Sequence, residues 1–519
     1  MKQQLPALLI VVPLLCALIS PLVAYFSTRL LRGLNLAAIF ASFLCAVGAL
    51  LRVLTEGVWH YRFGAWAPPW GIEYVIDPLS GGMAVLISLL SFLVLFYTGP
   101  FLQEDGWLRK GIYYALYTLL TTGLLGMVVT GDVFNLYVFL EISSLAAYAL
   151  IASGGGKATF AAFRYVLIGT MGASFYLLGV GFLYALTGSL NMADLAERLQ
   201  SLSDSPVVLL AAIFILVGIG IKMALFPLHG WLPDAYTYAP PAAIPFISGV
   251  MTKVMAYVLL RYFFFIFGVH GFIPAVLEVV GWLAAAGIIL ASVMALAQSD
   301  FRRMLAYSSV AQLGYIALGM AIGNFYGLIG AALHLLNHAV MKSCLFLAAG
   351  GVKWKTGEHM IEKYAGMSRQ MPLTMGALLL AALSMVGIPP TAGFFSKWYL
   401  ILGALERNLW IYAVVIILSS LLNALYFFRV LERVYLRQAD TEGQDGQEMQ
   451  QLRLDGLDKQ EDRRKPDRQH RLEGRGAELP YAMLIPIVIL GGSIVVIGLF
   501  NETLVSVLLQ YMFPGGGLS

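Results

Sequence analysis

The sequence predicts an all-α membrane protein of about fourteen transmembrane helices, with two inverted five-helix repeats that each contain a broken helix. Three observations predict it. Hydrophobic residues fill 59% of the 519 positions and charged residues only 12%, where a soluble domain carries roughly a quarter charged; mean hydropathy is +0.79. Apolar runs of about 18 residues or more recur from end to end, and a helix needs about 20 to cross the hydrocarbon core. The runs are continuous, which selects helices over the short alternating strands of a barrel.

The runs place helices at 4–27, 34–55, 77–101, 111–130, 132–153, 160–187, 205–239, 240–267, 272–297, 303–322, 324–350, 372–405, 410–436 and 480–511. The first run, Leu5 to Phe26 behind Lys2, is long for a signal peptide and is read as a membrane helix. Two segments are interrupted. Pro227 and Pro233 break 205–239, and Gly387-Ile388-Pro389-Pro390 with Gly393 breaks 372–405. Proline removes a backbone donor, and inside a membrane such irregular backbone survives only within protein or against a water-filled cavity. The breaks lie five membrane segments apart, as the seventh and twelfth. An odd number of crossings puts successive units in opposite orientation, the pattern of an inverted repeat. The expected organisation is helices 1–3 over 1–104, a first unit over 105–267, a second over 268–437, and a last helix within 479–519. Residues 438–478 are rich in Gln, Asp, Glu, Arg and Gly and are expected to form a disordered, solvated loop.

Lys and Arg in the connections orient the chain. With the N-terminus outside, the inner connections hold Arg29 and Arg32, Arg109 and Lys110, Lys157 and Arg164, Arg302 and Arg303, and Lys353, Lys355, Lys363 and Arg369. The outer loops hold little beyond Arg62, Arg198 and Arg407. Both termini are therefore expected outside and 438–478 in the cytoplasm, in the plasma membrane of a cell.

Ionisable residues persist where the membrane should exclude them. A charge at the bilayer centre costs roughly 2.5–3.5 kcal/mol on insertion scales, yet Glu141, Lys222, Lys253, His334, His338, Lys342 and Lys397 all fall inside predicted spans. Lys222 and Lys397 adjoin the two breaks. His334, His338 and Lys342 recur every four residues and share one helix face. Imidazole both donates and accepts protons near neutral pH. A lysine in a dry site gives up its proton more readily, while a nearby carboxylate stabilises the ammonium. A Glu141–Lys222 pair whose separation changes would therefore work as a proton switch. Each residue also has a plainer reading: the Glu141–Lys222 pair as a structural staple, a lone histidine as a satisfied interior group, and Lys342 as a side chain snorkelling to the inner surface. Seven such residues on five helices favour a connected proton path. His334 and His338 lack a second histidine set at matching depth, so no haem or metal site is expected. Cys16, Cys45 and Cys344 lie in apolar runs without metal-ligand spacing. No phosphate loop or nucleophile elbow is present.

Several stretches resemble one known family. Gly131-Asp-Val-Phe-Asn-Leu-Tyr-Val-Phe-Leu-Glu141 is similar to the fifth helix of the antiporter-like subunits shared by respiratory complex I, membrane-bound hydrogenases and Mrp-type cation/proton antiporters. So are Lys222-Met-Ala-Leu-Phe-Pro-Leu-His-Gly-Trp-Leu-Pro-Asp-Ala, Ala-Pro-Pro-Ala-Ala, and Met251-Thr-Lys253-Val. His334-Leu-Leu-Asn-His338-Ala-Val-Met-Lys342 and Gly387-Ile-Pro-Pro-Thr-Ala-Gly-Phe-Phe-Ser-Lys397 complete the set. The resemblance covers nearly the whole chain outside 438–478. It implies the fourteen-helix fold and a polar axis: Glu141 pairs, Lys222 carries protons in the first half-channel, Lys253 with His334 and His338 bridges, and Lys397 carries protons in the second.

Within the family, the Ala-Pro-Pro-Ala-Ala…Thr-Lys-Val run most resembles the D-type subunit of Mrp antiporters. Lysine at 397 differs from the glutamate of the middle antiporter-like subunit of complex I. The sequence continues about eight residues past the last predicted helix, unlike the distal complex I subunit with its long lateral helix. The charged stretch 438–478 departs from the usual short connection. The resemblance implies a transporter subunit of a multisubunit Na⁺ or K⁺/proton antiporter, with other membrane subunits, the lipid bilayer and protons as its partners, no nucleic acid, and no cofactor of its own. The alternative is a proton-pumping subunit of a redox complex, a membrane-bound hydrogenase or an NADH:quinone oxidoreductase, itself free of redox centres.

Overall fold

The computed structural model describes residues 2–64, 66–269, 271–437 and 478–512; nearly all of the charged stretch 438–478 lies outside them. Helices α1 (Leu5–Phe26) and α2 (Thr28–Glu56) are separated only by Ser27, whose side chain caps α2 by accepting from the Leu30 amide at 3.3 Å. Where the sequence suggested only a loop, strands β1 (Trp59–Arg62) and β2 (Glu73–Ile76) form an antiparallel ribbon, pairing Trp59 with Ile76 and Arg62 with Glu73. Then come α3 (Pro78–Tyr97), α4 (Trp107–Val129), α5 (Val133–Ala152) and α6 (Lys157–Thr187). The short helix α7 (Met192–Gln200), amphipathic and also unanticipated, precedes α8 (Pro206–Met223) and α9 (Leu232–Tyr238). The next membrane helix, α10 (Ile244–Ile266), contains wide π-type turns at Ile247–Met251 and Tyr262–Ile266. The chain continues through α11 (Ile273–Leu296), α12 (Phe301–Ile322), α13 (Phe325–Thr356), α14 (Pro372–Val386), α15 (Ala392–Glu406) and α16 (Trp410–Leu436). The last predicted helix is two, α17 (Tyr481–Leu499) and α18 (Asn501–Met512).

Among the described residues, 13 helices are long and apolar enough to cross a membrane. The broken α14–α15 segment makes the expected fourteenth. Burial sorts these helices. In α12 and α13, 94% of the apolar span is buried, against 39% in α1 and 33% in α2. The two innermost helices are those that carry His334, His338 and Lys342, together with Gln312. Outer helices instead expose large apolar side chains such as Leu18, Leu22, Phe160, Phe163 and Ile417, as a surface facing lipid or neighbouring subunits requires.

Both interruptions occur as expected, and each has its own way of satisfying the freed backbone. After α8 the chain turns through Ala224, held at φ 61. The Trp231 indole then donates to the Ile221 carbonyl at 2.8 Å, while its ring stacks 3.7 Å from that of Tyr165. At the foot of this segment Asp234 receives Arg164 at 3.0 Å and Arg303 at 3.2 Å, tying α9 to α6 and α12. The second break turns at Gly387 (φ 94) and returns as α15, with the Gly393 amide donating to Ser384 Oγ at 3.0 Å. A Cβ on Gly393 would sit 1.9 Å from the Ser384 carbonyl oxygen. Gly393→Ala is accordingly expected to destabilise the protein by about 1–3 kcal/mol, the usual cost of forcing backbone apart in a packed interior. Thermal unfolding in detergent measures this directly; an unshifted midpoint would show that α14 and α15 can separate freely.

Candidate functional site: a buried polar axis

Glu141, Ser144 and Tyr148 lie on one face of α5, spaced by three and four residues. Lys222 meets that face from the last turn of α8. Its Nζ donates to Ser144 Oγ at 2.8 Å and to Tyr148 Oη at 3.1 Å, and stands 3.6 Å from Glu141 Oε1. The lysine side chain is 1% exposed and the glutamate 27%. The carboxylate therefore sits at the margin of the fold, where a neighbouring element can reach it, while the ammonium is sealed inside. An attraction at this separation is worth about 4 kcal/mol at an effective dielectric constant near 20, enough to make proton retention depend on where the carboxylate stands.

Lys222 and Lys253 share no direct hydrogen bond. Between them runs an aromatic file: Tyr148 to Tyr165 at 4.6 Å, Tyr165 to Trp231 at 3.7 Å, and Trp231 to Tyr236 at 6.3 Å between ring centroids. Lys253 lies just beyond the first π-type turn of α10, and its Nζ donates to the Ser248 carbonyl within that turn at 2.5 Å. Local widening of the helix supplies the buried Lys253 amine with its own backbone acceptor. Gly249 brings α10 hard against α13; a Cβ there would lie 2.0 Å from Ser343 Oγ.

On α13 the three residues spaced by four have different surroundings. His334 bonds Ser396 Oγ through Nδ1 and Gln312 Oε1 through Nε2, both at 2.9 Å. The amide oxygen of Gln312 only accepts, so Nε2 carries the hydrogen, and Nδ1 faces a hydroxyl that works as donor or acceptor. His338, fully buried with its ring 5.9 Å from that of His334, makes no hydrogen bond to the described protein through either nitrogen. Lys342 does not snorkel: it is fully buried, donates to the Leu305 carbonyl at 2.8 Å, and makes a short bond to Ser308 Oγ. Lys397, one turn into α15, donates to the Met385 and Val386 carbonyls that end α14, at 2.9 and 3.0 Å, and to Ser420 Oγ at 3.1 Å. Its Nζ also lies 5.1 Å from the Tyr315 ring centre, and that ring lies 5.3 Å from His334. Tyr315 and Ser396 thus join Lys397 to the histidines.

All seven residues singled out from the sequence are in the interior or at its margin. Ser144, Tyr148, Gln312, Tyr315 and Ser396 were not anticipated. A search for polar residues at helical spacing from each charge would have found Ser144 and Tyr148, and Ser396 precedes Lys397 directly.

Two cavities lie at opposite ends of α4 and α10. One, of about 420 Å³, is lined by Arg109, Tyr113, Pro240 and Pro241 at the starts of these helices and by Lys353 from the last turn of α13. The other, of about 230 Å³, is lined by Glu73, Asp77, Tyr257 and Arg261 near their ends.

The family description "NADH:quinone oxidoreductase/Mrp antiporter, TM" matches residues 130–423. That stretch includes every residue of the axis. The chain is 52% identical to the NADH-quinone oxidoreductase subunit N of Desulforudis audaxviator over 515 residues, 99% of both chains. It is 33% identical to the D-type Na(+)/H(+) antiporter subunit of Alkalihalophilus pseudofirmus over 396 residues, 76% of this chain and 79% of that one. Its fold superimposes on a chain of the Mrp complex from Dietzia sp. DQ12-45-1b with a TM-score of 0.84, at 26% identity, covering 99% of this chain and 98% of the other. Within the family, identity is therefore higher to the redox-complex relative than to the Mrp antiporter the sequence had suggested. A multi-pass helical protein matched in sequence and fold over its length, the chain belongs to the NADH:quinone oxidoreductase/Mrp antiporter family of membrane subunits.

Proposed function

We propose that this chain is the proton-translocating membrane subunit of a redox-driven complex of the NADH:quinone oxidoreductase type. The observation that carries this reading is 52% identity to a subunit N along 99% of both chains. The geometry supports the proton-carrying part of this reading. Protons pass along Glu141, Lys222, Lys253, His334/His338 and Lys397, with residues 105–267 and 268–437 as the two half-channels and Lys342 as a further buried proton-carrying group beside the bridge. The electrostatic switch is the Glu141–Lys222 pair. A conformational change in a neighbouring subunit moves the partly exposed carboxylate, and Lys222 then retains or passes on its proton. Electron transfer takes place in other subunits. The chain lies in the plasma membrane with its termini outside and 438–478 in the cytoplasm.

A second reading, the D-type subunit of a Na⁺ or K⁺/proton antiporter, is favoured by the 33% identical relative and the Mrp-complex fold. In it the same axis moves protons while companion subunits handle the metal cation. Purifying the native complex and identifying its components separates the two. Copurifying iron–sulfur proteins and quinone reductase activity are expected; small hydrophobic subunits alone, with proton flux driven by a Na⁺ or K⁺ gradient, would instead establish the antiporter.

A further inference from the structure

The axis runs along the middle of the fold, but one branch leaves it toward the outer ends of the helices. Lys253, Tyr257 and Arg261 recur every four residues on α10 and so form one stripe, climbing about 12 Å over two turns. The Arg261 Nε donates to Tyr257 Oη at 2.8 Å, and that hydroxyl donates to the Val128 carbonyl at 3.0 Å, in the last turn of α4. The guanidinium also makes a short ion pair with Asp77 and stacks 4.5 Å from the centre of the Phe265 ring. Beyond the pair, Glu73 accepts from the Asn191 amide at 3.0 Å and lies 3.2 Å from His60 Nδ1. His60, Glu73, Asp77, Val128, Tyr257 and Arg261 all line the cavity of about 230 Å³, room for several waters at about 30 Å³ each. Lys253 stands one turn of α10 below it.

Resting on the proton-path reading above, we propose that this cavity is an outward vestibule of the first five-helix unit. Asp77 accepts protons that leave Lys253, and Arg261 is the positioning residue that bars their return. The proton moves from the Lys253 ammonium through water beside Tyr257 to the Asp77 carboxylate, and from there to the outer solution; the lysine is left neutral. Arg261 keeps Asp77 ionised between transfers, which makes it a transient acceptor that empties readily outward. Its fixed positive charge raises the barrier to a cation or proton moving inward, as arginine does in selective pores. The vestibule is ordered by local features: Asp77 caps α3 by accepting from the Ser80 amide at 2.8 Å, and β2 carries Glu73 to the cavity wall.

The test uses the complete complex, purified and reconstituted in liposomes. Asp77→Asn preserves the cap, because asparagine caps helices as well as aspartate, but offers no proton acceptor. Redox-driven proton translocation is expected to fall about twofold, because an acid–base group is lost from one exit while the route through Lys397 stays open. A second variant, Ala193→Cys, places a thiol in the exposed wall of the cavity on α7. Treating intact cells with a membrane-impermeant maleimide before purification is expected to label it and to reduce translocation by a similar factor. Wild-type translocation by Asp77→Asn, or by fully labelled Ala193→Cys, would overturn the vestibule; so would a cysteine that the external reagent cannot reach. Lys253→Met in the same assay separates the two failures. Wild-type transport there overturns the proton path itself, whereas its loss beside normal Asp77→Asn transport overturns the vestibule alone.

Discussion

Lys222→Ala is expected to lower proton translocation by at least about tenfold while the complex still assembles. Acid–base groups positioned in a transfer path contribute roughly 10²–10⁴-fold, and on the proposed route Lys222 is the first fully buried group after Glu141. The expectation of assembly also follows from the geometry. Glu141 is 27% exposed, so its carboxylate keeps access to the surface when its buried Oε1 loses the ion pair with Lys222. Ser144 and Tyr148 lose a donor but can turn their own hydroxyls to other acceptors. If the pair were only a staple, assembly would fail together with transport. Blue-native electrophoresis beside a pH-dye assay in the same vesicles distinguishes the outcomes, and an assembled variant with normal pumping would remove Lys222 from the path.

His338→Leu is expected to separate transport from stability more sharply still. The wild-type imidazole is fully buried and unbonded to the described protein through both nitrogens. Leaving a buried polar group unpaired costs about 1–3 kcal/mol. A leucine of similar bulk should therefore keep or slightly raise the unfolding temperature, while proton translocation falls at least about tenfold. His334→Leu should behave differently, since it strands both the Gln312 oxygen and the Ser396 hydroxyl that now bond the ring. That variant is expected to lose stability as well as transport. Equal thermal shifts in both variants would argue that His338 is a structural group, held by interactions of the same kind.

The contrast between these histidines explains what could be read in advance. Ionisable residues inside apolar runs are conspicuous, because few other features of a hydrophobic sequence cost as much, and this exposed Glu141, Lys222, Lys253 and Lys397. Proline and glycine marked both interruptions for an equally local reason. The residues that serve these charges were not visible. Serine, tyrosine and glutamine occur throughout membrane helices, and whether Gln312 faces His334 depends on how α12 rotates against α13. The π-type turn that supplies Lys253 with the Ser248 carbonyl has no residue signature. Nor does the ribbon of β1 and β2, whose short strands lack a long alternating pattern. Helix ends were also set by tertiary contacts: α13 runs to Thr356, six residues past its expected end, because its last turns remain packed against the interior.

On the proposed route, protons pass from the first five-helix unit to the second through Lys253, so one variant bears most directly on the account. In the reconstituted complex, Lys253→Met keeps most of the side chain's length and removes the group that carries the proton. The measurement is the initial rate of proton translocation per assembled complex, driven by quinone reduction. A fall of about tenfold or more is predicted from the loss of an acid–base group in series with the rest. A fully assembled Lys253→Met complex that pumps at the wild-type rate would contradict a proton route along the axis.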